Sequence, residues 1–325
     1  MSKAFSFVLG IVCVILLAIT LISADKVLQA GPQLPRPPYE KQAEYHLVLI
    51  TQELEAPFWV KVAEGAKEEA DNNGSSIEVW GSYAKDQEEF LKKLEIAIDS
   101  KVDGIIVQGL DNDDFKELTK IKAAFYGIPI ITVANDVPMA DSLRRTYVGS
   151  DQFLAGQMIA KQLLTDMGTT GTVALMGDSQ EEYYQQQRVN GIMSILQKYP
   201  GVRTEYAETT ESREKIIATT QDVLNRIPDV DAFIAVNANI TDAMVQEIGR
   251  RSQVAPYDIY SFDDSKDTLP LLKAGKLDGI IEQSPDEMGR LSVKRIIEWL
   301  RGETVPLNAD GYLTRIRMLR AADLR

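Results

Sequence analysis

Few residues in this chain could carry covalent chemistry, because it contains a single histidine, His46, and a single cysteine, Cys13. Disulfide scaffolds, zinc clusters and thiol redox pairs all need more of these side chains than the chain has. Any Ser-His or Cys-His nucleophile would depend on His46 alone, and His46 lies within a predicted strand, where a structural role is the simpler interpretation. An enzyme built on this sequence would have to use carboxylates, lysines or a bound cofactor.

Polar and aromatic residues near the carboxyl ends of predicted strands point instead to non-covalent binding. Open parallel sheets bind ligands beyond those strand ends. The residue types found there are aromatic rings, amides, carboxylates and one guanidinium, at Phe58, Trp59, Asn135, Asp136, Arg188, Asn237, Asp263 and Gln283. Carboxylates accept hydrogen bonds, a guanidinium donates in a fork and amides do both, so the set suits a ligand rich in hydroxyls. The rings suit the apolar C–H face of a sugar.

Each of these residues also has a purely structural interpretation. The adjacent aromatic pair can staple the start of a helix, and asparagine and aspartate are favoured helix caps. Arg188 can form a surface ion pair with Glu181 or Glu182, and Gln283 can occupy an ordinary turn before Pro285. Taken singly, the structural interpretation is the stronger. Four such residues at matching positions of one half of the chain favour a binding site.

These positions follow from an alternation of short apolar runs with longer helical patterns. The predicted strands are Tyr45–Ile50, Ser76–Trp80, Gly104–Gln108, Pro129–Val133, Thr146–Gly149, Thr172–Met176, Arg203–Ala207, Ala232–Asn237, Asp258–Phe262 and Gly279–Glu282. The predicted helices are Trp59–Asp71, Asp86–Ile98, Phe115–Phe125, Asp151–Met167, Tyr183–Gln197, Ser212–Arg226, Thr241–Ser252 and Glu287–Leu300. Continuous Ile/Val runs between helices predict α/β architecture with parallel sheets covered on both faces. Because the pattern restarts after the helix near Asp151, we expect two doubly wound lobes.

Composition narrows the function classes further. With 45% hydrophobic and 26% charged residues the chain is globular, and its net charge of −13 argues against a nucleic-acid partner. No dinucleotide-binding glycine motif, no phosphate-binding Walker loop and no G-x-S-x-G nucleophile motif occurs. We therefore expect no cofactor, no metal and no catalysis.

The amino-terminal run from Phe5 to Ala24 holds twenty residues without a charge. As a helix it would be about 30 Å long, the thickness of a hydrocarbon core. The run is long for a signal peptide, whose apolar region is about 7–15 residues, although residues 22–24 offer a possible cleavage site. We expect a single-pass anchor with Lys3 on the cytoplasmic side and the rest of the chain outside, with a cleaved, secreted or periplasmic form as the alternative.

The expected domain boundaries follow from these patterns. Residues 25–43 contain Pro32, Pro35, Pro37 and Pro38, a density that blocks helix and predicts an extended stalk after the anchor at 1–24. The first lobe is expected to comprise residues 44–150 plus 284–311. The second is expected to comprise residues 151–283 plus 312–325.

From Tyr45 onward, over about 280 residues, the chain resembles the ribose-binding-type sugar-binding proteins of the periplasmic-binding-protein type I family. The segments that carry the resemblance are PFWVKVAEGAKEEA from Pro57, VDGIIVQG from Val102, GIPIITVAND from Gly127, VGSDQFLAG from Val148, QQQRVNGI from Gln185, SREK from Ser212, AFIAVNANI from Ala232, SFDDS from Ser261 and KLDGIIEQSPDEMG from Lys276. The resemblance implies two lobes joined by three crossover strands that close over a monosaccharide. It also implies ring stacking by the two aromatic residues and hydroxyl binding by Arg188, Asn237, Asp263 and Gln283.

Departures from the family pattern are concentrated in the first lobe. Where ribose binders place an Asp-Arg pair, this chain has Ala134 and Asn135, with Asp136 next. Ala56 stands where an asparagine is expected, and Glu211 where an aromatic residue is expected. These changes make ribose itself a poor candidate without altering the expected mode of binding.

Several roles are compatible with such a body. The resemblance implies delivery of a sugar to a membrane permease of the ABC type, while an uncleaved anchor resembles the sugar sensors that signal to a partner histidine kinase, including sensors of sugar-like autoinducers. A transcription regulator of the lactose-repressor type shares the body, but it would need a basic helix-turn-helix where this chain has its apolar run.

Overall fold

The chain divides into two compact units, Met1–Gln42 and Ala43–Arg325. The computed structural model describes residues 16–18, 20, 43–83, 85–177, 183–210, 212–251 and 257–324. In the first unit, residues 16–18 and 20 are helical, so most of the expected anchor and the whole of the expected stalk lie outside the described residues. Among the residues described, no helix has the length and apolar character needed to cross a membrane.

The second unit contains two six-stranded sheets. Its strands are β1 (His46–Thr51), β2 (Ser76–Gly81), β3 (Gly104–Gln108), β4 (Ile130–Val133), β5 (Thr146–Gly149), β6 (Thr170–Gly177), β7 (Gly201–Glu208), β8 (Ala232–Ala235), β9 (Asp258–Phe262), β10 (Gly279–Glu282), β11 (Tyr312–Leu313) and β12 (Arg317–Leu319). The sheet orders are β11-β5-β4-β3-β1-β2 and β12-β10-β9-β8-β6-β7. Both sheets are parallel except for β12, which runs antiparallel to β10. The two lobes therefore repeat one strand order and differ in the direction of their edge strands, β11 and β12.

Helices cover both faces of each sheet. They are α1 (Pro57–Asn72), α2 (Gln87–Asp99), α3 (Asp113–Glu117), α4 (Met139–Ser142), α5 (Gln152–Asp166), α6 (Tyr183–Leu196), α7 (Arg213–Arg226), α8 (Ala238–Arg251), α9 (Thr268–Lys273) and α10 (Pro285–Leu300). A π-helical turn at Leu118–Ala123 continues α3, and a 3-10 turn at Ala321–Leu324 follows β12. Each lobe has two hydrophobic cores, one on each face of its sheet.

An aspartate just before a strand tethers the neighbouring strand in both lobes. The Asp103 carboxylate accepts the backbone N–H of His46 at 2.7 Å, and Asp231 and Asp278 accept those of Thr172 and Ile259, both at 2.8 Å. These carboxylates satisfy donors at the amino-terminal ends of the strands. These hydrogen bonds help to fix the register of neighbouring strands at their amino-terminal ends. The carboxyl ends of the same strands therefore lie side by side along the opposite edge of each sheet.

Paired glycines bring two helices into close contact in each lobe. A Cβ added at Gly289 of α10 would lie 1.9 Å from the carbonyl oxygen of Val62 in α1, and one at Gly191 of α6 would lie 2.0 Å from that of Phe153 in α5. Only glycine permits this approach of one backbone to another. The helices that begin at two of the lobe crossings, α5 and α10, are thus held tightly against their own lobes.

The chain passes between the lobes at residues 150–151, 283–284 and 314–316. The predicted two-lobe α/β organisation agrees with this architecture, and most predicted elements lie within a few residues of those found. One boundary differs, because Tyr312 and Leu313 pair with Val148 and Gly149 in the first sheet. The third passage therefore falls after residue 313, and not at 312 as expected.

Candidate functional site

A cavity of about 150 Å³ lies between the carboxyl ends of the strands of the two lobes. That volume is about ten to fifteen times the roughly 10–15 Å³ that one water molecule needs, so the cavity can hold a small organic molecule. Both lobes and two of the passages between them contribute to its lining: Gln52, Glu53, Ala56, Pro57, Phe58, Trp59, Lys85, Gln108, Ala134, Asn135, Gln152, Tyr184, Arg188, Asn237, Ala238, Asn239, Asp263, Asp264, Ser265 and Gln283. This set is called the cleft below.

Four side chains of the cleft form a closed ring of polar contacts. Arg188 Nε donates to Gln152 Oε1 at 2.8 Å, and Gln152 Nε2 donates to Gln283 Oε1 at 3.2 Å. Gln283 Nε2 donates in turn to Asp263 Oδ1, and Asp263 Oδ2 lies 3.5 Å from Arg188 Nη2. Gln152 and Gln283 lie at two of the passages between the lobes, which together form the hinge. The ring therefore connects the hinge to Arg188 and Asp263 of the second lobe.

Arg188 is held in place on every side. It is 2% exposed, its Nη1 donates to the carbonyl oxygen of Val236 at 2.7 Å, and its guanidinium lies 4.1 Å from the ring centre of Phe262. The ring of Tyr184 lies at 4.9 Å. A surface role for Arg188 is therefore wrong: it is a buried cation whose charge is balanced by Asp263 and by two aromatic faces.

Asp263 and Ala134 occupy equivalent places in the two lobes. Each follows the third strand of its sheet order, has a positive φ (66° and 62°), and donates its backbone N–H to the next strand, at Ile281 and Val148. Left-handed backbone at residues other than glycine is strained, and such strain gathers at functional sites. The second lobe uses the position for a carboxylate, whereas the first lobe has a methyl group there and places Asn135 beside it on the cleft.

Two amides line the cleft from equivalent strands. Gln108, at the end of β3, accepts with Oε1 from the hydroxyl of Thr51 and from the backbone N–H of Gln52. Asn237, just after β8, accepts with Oδ1 from the backbone N–H of Ile240 at 3.2 Å, so it does cap α8. Its Nδ2 is buried with no partner among the described residues. Because each oxygen already accepts a hydrogen bond, either amide would use its NH2 group to donate to a ligand.

The two aromatic residues at the start of α1, Phe58 and Trp59, have different roles. Trp59 is 4% exposed and belongs to a core of the first lobe, although its edge also reaches the cleft. Phe58 is half-buried and meets Trp59 edge to face, with ring centres 5.5 Å apart. Pro57 opens the helix in place of a side-chain cap. Phe58 is therefore the more available ring for an apolar ligand face, and Trp59 supports it.

Asp136 lies outside the cleft. Arg144 Nε and Nη2 grip its two carboxylate oxygens at 2.6 and 2.7 Å, and the hydroxyl of Thr132 donates to Oδ1 at 2.6 Å. Arg144 also reaches the carbonyl oxygen of Ala309 at 2.9 Å, which fastens the returning chain to the first lobe. Of the eight residues expected at the site, the structure brings the other seven together, whereas Asp136 forms a structural ion pair.

One ion pair crosses the cleft from lobe to lobe. Lys61 Nζ on α1 lies 3.2 Å from Asp264 Oδ2, whose side chain is 15% exposed. Burial raises the pKa of Asp264, and the charge of Lys61 opposes that shift. The pair can form only when the two lobes are close together.

The single histidine of the chain lies far from the cleft. His46 lies at the amino-terminal end of β1, bonded through Nδ1 to the Ser76 hydroxyl at 2.8 Å, whereas the cleft lies at the carboxyl ends of the strands. The described residues contain no group of three or more histidine, cysteine or acidic side chains arranged to hold a metal ion.

Several cleft residues were not predicted from the sequence. They are Gln52, Glu53, Lys85, Gln108, Gln152, Tyr184, Asn239 and Asp264. Gln108 ends a strand, so the same strand-end argument could have found it. Gln152 had no such signal, because its place in the ring depends on how a passage between the lobes is routed.

Comparison with known proteins agrees with this geometry. The family model described as periplasmic binding protein domain matches residues 47–304. The ribose import binding protein RbsB of Bacillus subtilis is 24% identical over 306 residues, which cover 94% of this chain and 95% of that protein. The crystal structure of GanP, a glucose-galactose binding protein from Geobacillus stearothermophilus, has a TM-score of 0.81 at 30% identity and covers 87% of this chain and 99% of its own.

A third similar structure is a chain in the XylFII-LytSN complex. Its TM-score is 0.76 at 26% identity, over 86% of this chain and 98% of that one. The family match over residues 47–304 covers most of both lobes and the first two passages between them. Together with the cleft geometry, the match over residues 47–304 shows that the chain belongs to the periplasmic binding protein domain family, whose members bind solutes.

Proposed function

We propose that this protein binds a monosaccharide or a related polyol in the cleft, on the extracytoplasmic side of the membrane, and leaves it chemically unchanged. The observation that carries the proposal is the pairing of donors and acceptors on the cleft. The amides of Gln108 and Asn237 offer NH2 groups, and Asp263 offers a charged acceptor. A sugar hydroxyl accepts from the first kind of group and donates to the second.

The mechanism is a two-state clamp. Open and closed arrangements exchange, and a ligand that touches both lobes shifts the population toward the closed one. Neutral hydrogen bonds contribute about 0.5–1.5 kcal/mol each and charged ones about 1.5–3. Several of these, with stacking on Phe58, would together supply about −8 kcal/mol, the binding free energy of a micromolar complex. The Lys61–Asp264 ion pair stabilises the closed state and lies apart from the hinge.

Delivery to an importer is the role we favour. RbsB of Bacillus subtilis is a ribose import protein, and similarity to it extends over 94% of this chain. In that role the closed, loaded form presents the sugar to an ABC-type membrane permease.

Sensing is the second candidate role, and a specific observation favours it. A chain 26% identical to this one was solved as part of the XylFII-LytSN complex, so a protein of this shape assembles with a second protein. The uncharged run Phe5–Ala24 would hold such a sensor at the membrane beside a histidine kinase. We propose this single-pass anchor on the sequence alone.

A thermal-shift screen of the full chain tests the ligand class. The panel comprises glucose, galactose, allose, ribose, xylose, arabinose and inositol, with a matched set of amino acids as the control. We expect a saturable rise in Tm with at least one sugar or inositol, because the ligand stabilises only the folded form. Tryptophan fluorescence should change in parallel, because Trp59 lines the cleft. A rise with an amino acid and with none of the polyols would refute the proposed ligand class.

A further inference from the structure

The first lobe carries an exposed apolar groove that shares no lining residue with the cleft. It lies between α2 and the segment formed by α3 and the π-helical turn, and encloses about 930 Å³. Its apolar residues are Leu91, Leu118, Ile121, Phe125 and Tyr126, which define the apolar groove. Phe125 is 83% exposed, Ile121 63% and Tyr126 43%.

This exposure is not a by-product of packing in the lobe. Leu91 and Leu118 pack against the core beneath the groove, so its floor is already anchored. The rings of Phe125 and Tyr126 meet edge to face at 5.2 Å, at the outer end of the π-helical turn. π-helical turns are rare and occur frequently at functional sites. Large apolar groups gathered in one exposed patch mark an interaction surface.

The walls of the groove are two helical ridges. Positions 87, 88, 91, 92 and 95 form one face of α2, and positions 114, 117, 118, 121, 122 and 125 form the facing side. Both sets follow the three- and four-residue spacing of a single helix face. A groove between two such ridges accepts the ridge of a third helix.

The charges around the groove are unbalanced. Lys122 is occupied by Glu95 and Asp99, at 2.7 and 2.9 Å, which raises its pKa. Among the described residues that line the groove, three carboxylates form no ion pair, those of Glu88, Asp114 and Glu117. In the same lining, Lys92 has an ammonium group without an ion pair, so unpaired negative charges outnumber unpaired positive ones.

The neighbouring lysines outside the lining are also engaged. Lys116 pairs with Asp111 at 2.6 Å, Lys120 donates to the carbonyl oxygen of Ala140, and Lys101 lies over the Tyr126 ring at 5.5 Å. The rim therefore presents carboxylates around an apolar floor.

We propose that the apolar groove is a docking surface for an amphipathic α-helix of a partner protein, whose apolar ridge is flanked by lysine and arginine residues. The rim carboxylates complement that charge. A second copy of this chain is disfavoured, because it would bring a like-charged rim and a second net charge of −13 to the interface. An anionic membrane is disfavoured for the same reason. This docking surface is separate from the ligand site and goes beyond the proposed function.

The test uses two labelled 16-residue peptides and the full chain. One peptide has leucine along one helix face and lysine elsewhere, and the other has glutamate in place of lysine. Fluorescence anisotropy should show saturable binding of the lysine peptide, weakened at least tenfold in an Ile121→Ser/Phe125→Ser double variant and in 0.5 M salt. Phe153→Ser, which alters an exposed phenylalanine of the second lobe, is the matched control and should bind as the wild type does.

Four results would overturn this inference. They are no saturable binding of the lysine peptide, equal binding by the double variant, tighter binding of the glutamate peptide, and a dimer or anionic-vesicle binding of the wild type that the double variant loses. An unchanged sugar-induced rise in Tm in the double variant shows that it is folded. That readout also separates a failure of the docking surface from a failure of the sugar site.

Discussion

Replacing Asp263 by asparagine removes one charge from the cleft and keeps the shape of the side chain. The Asp263 carboxylate accepts from Gln283 and lies 3.5 Å from Arg188, which is 2% exposed. Asparagine keeps one acceptor oxygen, but its NH2 group would compete with the donors of Arg188 and Gln283. The ring that links the hinge to the second lobe would therefore be broken at Asp263.

The size of the effect follows from the kind of hydrogen bond lost. A bond to a charged acceptor contributes about 1.5–3 kcal/mol and a neutral one about 0.5–1.5, so the substitution should lose about 1–2 kcal/mol of ligand binding. That loss corresponds to a roughly 5- to 30-fold weaker Kd. Arg188 keeps its bonds to Gln152 and Val236, so we expect the free protein to remain folded.

Isothermal titration calorimetry with the sugar found by thermal shift measures this directly. Asp267→Asn is the matched control, because Asp267 lies exposed in the same loop and its side chain forms no capping bond. We expect Asp267→Asn to bind like the wild type. A Kd for Asp263→Asn within twofold of the wild type, with the same Tm, would refute the role given to this carboxylate.

Three further predictions concern packing, pH and closure. Gly289→Ala should lower Tm, because the added Cβ would lie 1.9 Å from the Val62 carbonyl oxygen and overpacking costs about 1–3 kcal/mol. Gly249→Ala, where a Cβ would have no atom within 4 Å, should leave Tm unchanged. Equal Tm values for the two variants in scanning calorimetry would contradict the close packing. Burial, with the nearby Asp278 and Asp166, raises the pKa of Asp258 to about 6. The folded protein then holds this proton more tightly than the unfolded chain does, where aspartate titrates near about 3.9, so stability falls as pH rises from about 4 to 6. Asp258→Asn should therefore raise Tm at pH 8 and leave it unchanged at pH 3; a fall at pH 8 would count against it. Lys61→Met should weaken ligand binding by up to about fivefold at low salt, since the pair is open to water on its Lys61 side and solvent-screened ion pairs contribute about 0.2–1 kcal/mol. Lys67→Met on the same helix should have no effect, and an equal loss in both variants would rule out the interlobe pair.

Several buried strands could be predicted from the sequence. β3 and β10 begin and end where their isoleucine and valine runs predicted, because a parallel strand buried on both faces needs a continuous apolar run. The predicted bounds of β5 and β9 also equal the observed ones. The short elements α4, α9, β11 and β12 were not predicted. α4 and α9, with 4 and 6 residues, make fewer than two helical turns and so show no helical period. β11 and β12, with 2 and 3 residues, are defined only by their partners β5 and β10.

The residues of the cleft were likewise predicted in part from the sequence. The strand-end argument predicted seven residues that line the cleft, and it failed for Asp136, which stands just as close to a strand end. The difference is Arg144, eight residues along the chain, whose guanidinium takes both oxygens of Asp136. Nothing in that spacing distinguishes a side chain that faces a ligand from one that holds a loop.

By itself, the sequence determined the two-lobe α/β class, the scarcity of histidine and cysteine, and the edge of each sheet at which polar groups gather. Those properties depend on residue type and local period. Only the tertiary structure decided that Arg188, Gln152, Gln283 and Asp263 close a ring, that one NH2 group of Asn237 stays unpaired, and that Lys61 meets Asp264. These contacts join residues up to 203 positions apart, across strand passages whose routing follows from packing of the whole molecule.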